Sequence, residues 1–80
     1  MIGWSKLINE DETNMTIAYS LETNEKCDGE IIFNKNTEDV VVSKMTSGEY
    51  NYLTKSFICP LRGRIRAGME MGKKYMVMTG

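Results

Sequence analysis

From residue 15 to residue 22 the chain alternates. Met15, Ile17, Tyr19 and Leu21 are bulky and apolar, while Thr16, Ala18, Ser20 and Glu22 between them are small or polar. Successive side chains of an extended chain point to opposite faces, so this period of two predicts a strand with one buried side. Three further stretches are apolar without alternation: Ile31, Ile32 and Phe33; Val40, Val41 and Val42; and Tyr75, Met76, Val77 and Met78. They are too short for ordinary helices, rich in β-branched and aromatic residues, and bounded by polar segments, which predicts strands that carry apolar side chains on both faces.

The connections fix how these strands follow one another. Thr23, Asn24, Glu25 and Lys26 form a polar turn, followed by Asp28 and Gly29, a pair suited to positive φ near the start of the next strand. Residues 35–39 are a polar connection of hairpin length. The first three strands therefore read as an antiparallel meander. Ser47 is a candidate helix cap and Glu49 suits the first turn; Tyr50, Leu53, Phe57, Leu61 and Ile65, widened by Ile58, recur at helical spacing up to a C-cap at Gly68. Pro60 and Gly63 oppose this reading, since proline costs about 3 kcal/mol in a helix interior. Pro60 then either kinks one helix or opens a second. A strand over residues 61–71 is the alternative, because Leu61, Gly63, Ile65 and Ala67 alternate with Arg62, Arg64 and Arg66. The expectation is one small α+β domain over residues 1–80, in the order β-β-β-α-β, with one amphipathic helix on one face of an antiparallel sheet. In residues 1–12, Trp4 is expected to anchor the segment onto the body.

One helix shields one face of a sheet, yet three strands are apolar on both. Two coverings are expected for the second face: the N-terminal segment with Trp4, Leu7 and Ile8, or a second copy of the chain. The second copy covers more, so a homodimer is expected. That requirement falls if these stretches turn one side openly to solvent.

Composition narrows the chemistry. There is no histidine, so the commonest acid–base group at neutral pH is missing, and two isolated cysteines cannot make the four-ligand shell of a structural zinc site. Glu10, Asp11 and Glu12 lack the spacing of a calcium loop. Cys59, beside Phe57, Ile58 and Leu61, reads as core, and Cys27 as part of a turn. No phosphate-cradling glycine loop is present. The expectation is therefore a protein without catalytic activity, cofactor or metal. The first nine residues lack the sustained apolar core of a signal peptide, and no apolar run approaches a membrane span, so a cytoplasmic protein with reduced thiols and no membrane contact is expected.

Charge is divided along the chain. Residues 1–40 carry three Lys against nine Asp and Glu, a net of −6, and residues 41–80 carry seven Lys and Arg against two Glu, a net of +5. Arg62, Arg64, Arg66, Lys73 and Lys74 form the basic cluster, and on it rests the alternative function, nucleic-acid binding. The simpler expectation is that the two halves neutralise each other within one fold or one dimer. Met69, Met71, Met76 and Met78 crowd the last twelve residues and are expected in the core or a dimer interface. The leading functional expectation is a small interaction or regulatory domain that self-associates and could receive a protein partner.

Overall fold

A computed structural model describes residues 2–21, 26–44 and 51–78. It contains β1 (Ile2–Glu10), β2 (Asn14–Leu21), β3 (Gly29–Asn34), β4 (Val40–Lys44), α1 (Asn51–Ala67) and β5 (Lys74–Met78). All five strands belong to one sheet, ordered β4-β3-β2-β1-β5, and every neighbouring pair is antiparallel. The α+β class, the antiparallel sheet and the single helix are as the sequence implies. The element order has one strand more than expected, at the N-terminus.

That strand corrects the reading of residues 1–12. The segment does not lie over the sheet; it is β1, inserted between β2 and β5. Its inward residues are Gly3, Ser5 and Leu7, all buried. Two of the three are small, so period two is invisible to a hydrophobicity pattern. At Gly3 the helix demands the absence of a side chain. Phe57 packs so closely over Gly3 that a Cβ there would run into its ring. The same ring stacks on Tyr19, with centroids 5.7 Å apart.

The core lies between α1 and one face of the sheet. Leu7, Met15, Ile17, Tyr19, Leu21, Ile31, Phe33 and Val77 supply the sheet side, and Phe57 and Leu61 the helix side. Val40, Val42, Ile65 and Met69 pack against its margin. Phe57, Leu61 and Ile65 lie on one stripe at four-residue spacing, and this stripe decides residues 61–67 as helix against the alternative strand. The helix runs through Pro60 as one element. It closes at Gly68, where φ is +99° and the amide donates to the Ile65 carbonyl at 3.0 Å. Met71 only bridges Leu7 beyond it. Ser47, Glu49, Tyr50, the side chain of Leu53, and residues 23–25 of the expected polar turn lie outside the described residues.

Turn chemistry orders the visible connections. In the β1–β2 turn the Asp11 carboxylate accepts from the Asn14 and Thr13 amides at 2.7 and 2.8 Å, and these bonds hold its pKa below the ordinary carboxylate value. Lys35 reaches back to Glu10 at 2.8 Å. In the β3–β4 turn the Asn34 side chain accepts from the Asn36 and Thr37 amides, and Glu38 takes a positive φ of 61°. Positive φ after β2 falls on Cys27 rather than Gly29, which is a buried strand residue opposite Tyr19.

Candidate interaction surface

The register of the strands defines the face turned away from α1. Directly paired residues share a face, so this side carries, row by row, Ile2 with Met78; Ser20 with Trp4 and Met76; Lys44, Glu30, Ala18, Lys6 and Lys74; and Val41, Ile32, Thr16 and Asn9. The three apolar stretches thus place Ile32, Val41, Met76 and Met78 outward, as sequence implies. Val41 is 60% exposed, Met76 53% and Met78 68%. A single chain stands with this side in water. This overturns the requirement that the fold include a second layer, and makes self-association a property of the surface rather than a necessity of the fold. Of the two places expected for the C-terminal methionines, core or dimer interface, Met76 and Met78 do not take the core: Val77 points inward between them, and of the four only Met69 packs against the core.

The face is not evenly apolar. Two apolar corners, one of Ile2, Trp4, Met76 and Met78 and one of Ile32 and Val41, lie on either side of the charged row. Along its middle, Ala18 and Ser20 are buried, and the Ser20 hydroxyl donates to Cys27 Sγ. Small side chains there sit between the taller ones of β1 and β3. Lys74 Nζ sits 5.0 Å from the centroid of the Trp4 ring, covering part of one corner.

The five basic residues do not form one track. Arg66 turns to the β3–β4 turn and grips Glu38 with two bonds, Nη2 to Oε1 at 2.7 Å and Nε to Oε2 at 3.1 Å. This guanidinium draws the Glu38 carboxyl below its ordinary pKa, and Arg62 adds a weaker pull in the same direction. Arg64 turns the other way, with its guanidinium 4.6 Å from the Tyr75 centroid and Nη2 donating to the Gly68 carbonyl at 2.8 Å. Lys73 lies 5.2 Å from the same ring, and the Tyr75 hydroxyl accepts from the Glu70 amide. Arg64 and Lys73 are brought together on Tyr75, Arg62 and Arg66 around Glu38, while Lys74 belongs to the open sheet face. Spacing foretells this split, because residues 62 and 66 share a helical face and residue 64 does not.

The cysteines sit apart and unbridged. Cys27 is half-buried and accepts a weak bond from Ser20 Oγ at 3.9 Å. Cys59 corrects the sequence reading: it is exposed, because the buried stripe runs through Phe57 and Leu61 on either side of it. No helix among the described residues is long and apolar enough to cross a membrane. No family model, curated protein or solved structure matches this chain.

Proposed function

We propose that this chain is a small intracellular interaction domain, without catalytic activity of its own, that self-associates through the sheet face opposite α1. The observation that carries this reading is the apolar content of that face: exposed Ile2, Val41, Met76 and Met78, with half-buried Trp4 and Ile32, on one side of one sheet. Apolar patches of this kind on small chains mark association surfaces. At normal strand spacing and rise, five strands of this length make a face of about 24 by 20 Å, about 500 Å² flat, and side-chain relief brings it toward the ~800 Å² per partner of a standard interface. The intracellular setting rests on the sequence alone.

The competing reading, nucleic-acid binding by Arg62, Arg64, Arg66, Lys73 and Lys74, draws support from the cations beside Tyr75 and Trp4. It is the weaker one. Arg66 is committed to Glu38, and Arg64 and Lys73 occupy the Tyr75 ring on which a base would stack. One experiment separates the two. Size-exclusion chromatography with light scattering is expected to give a dimer at micromolar concentration, and Val41→Lys with Met76→Lys a folded monomer. Single-stranded DNA at low salt is expected to leave the elution unchanged. A wild-type monomer that shifts with DNA reverses the assignment.

A further inference from the structure

We propose that the open face is covered by a second copy of the chain about a twofold axis running along β2, with Glu30 of each copy paired to Lys6 of the other. This deepens the self-association reading and rests on it. The argument starts from strand order. β2 is the middle strand, and its outward residues Thr16, Ala18 and Ser20 are small; β1 and β3 flank it on either side. Ala18 is paired on one side with Lys6 and on the other with Glu30, so opposite charges stand one strand to either side of the centre. At normal strand spacing their backbones are about 10 Å apart, and within this chain the two side chains do not pair. Lys35 pairs with Glu10 and Arg66 with Glu38, and neither Lys6 nor Glu30 takes part in these pairs.

A twofold axis along β2 exchanges β1 and β3. It sets Glu30 of the second copy over Lys6 and Lys6 of the second copy over Glu30, giving two equivalent ion pairs as an isologous interface requires. Packed sheets lie about 10 Å apart, a gap that an extended lysine and a glutamate span together, and Ala18 on the axis leaves them room. An axis across the strands at the same row sets Lys6 against Lys6 and Lys74 against Lys74, and like charges facing each other disfavour an interface. Charge therefore selects the strand-parallel axis. Its one unfavourable opposition, Lys44 against Lys74, falls at the two sheet edges, where twist separates the layers and both side chains are exposed.

Sedimentation equilibrium on the full chain tests this arrangement. Lys6→Glu and Glu30→Lys are each expected to weaken the dimer about tenfold or more. An equimolar mixture of the two variants is expected to associate within about threefold of wild type, since each then offers the other the missing charge. Circular dichroism checks that each variant folds; where one does not, Lys6→Gln and Glu30→Gln replace the reversals, and each is expected to flatten the salt dependence of the dissociation constant. A wild-type dimer whose variants dissociate as it does, or whose mixed variants stay apart, overturns this pairing and leaves self-association standing. A wild-type monomer removes both.

Discussion

Gly3 is the residue on which the helix–sheet contact turns. It occupies an inward position of a strand, where a β-branched or aromatic side chain is the usual choice, and the Phe57 ring takes the vacated space. Gly63 is the opposite case, exposed on the helix with open space around it. The same substitution should therefore have opposite signs. Gly3→Ala is expected to cost about 1–3 kcal/mol through overpacking, and Gly63→Ala to add about 0.5–1 kcal/mol through helix propensity. Urea denaturation of the two variants measures both, and a neutral Gly3→Ala would mean that Phe57 does not sit where described. Gly3 also explains why the first strand was not legible. Glycine and serine at inward positions erase the apolar rhythm that reveals a strand, and only the ring opposite makes them intelligible.

At the scale of elements, α1 is tied to the β3–β4 turn by Arg66 and Glu38, residues 28 positions apart. Because the folded pKa of Glu38 is depressed, its contribution is present above the ordinary carboxylate pKa and lost as pH falls through the lowered value. Asp11, held down by its backbone bonds in the β1–β2 turn, acts in the same direction. The melting temperature is expected to fall between about pH 5 and pH 3, and less steeply in Glu38→Gln than in wild type. Parallel curves for the two proteins would assign the acid sensitivity elsewhere. Much at this scale was readable beforehand. The alternation from Met15 to Leu21, the runs around Ile32 and Val41, and the stripe of Phe57, Leu61 and Ile65 each expose their period directly. Cys59 was misplaced because local apolar neighbours outweighed helical phase: one residue's rotation from Ile58, it already points to water.

For the whole molecule, the question is what meets the open sheet face. Anything that binds only the folded chain stabilises it by mass action, so a self-associating protein should melt at a temperature that rises with its own concentration. An upward shift is expected on raising the concentration from the low to the high micromolar range. It should vanish in the variant with lysine at positions 41 and 76. A midpoint independent of concentration would count against a dimer.

The amino-acid sequence alone determined the α+β class, the antiparallel meander, the helix with its end at Gly68, and the apolar residues that three strands present on both sides. All of these depend on periodicity and turn chemistry, which act over a few neighbours along the chain. Only the tertiary structure decided that the N-terminal segment joins the sheet, that Arg66 reaches Glu38 while Arg64 lies over Tyr75, and that Lys6 and Glu30 flank Ala18. Those outcomes depend on strand order and register, which bring together residues far apart in the chain, and no local pattern encodes them.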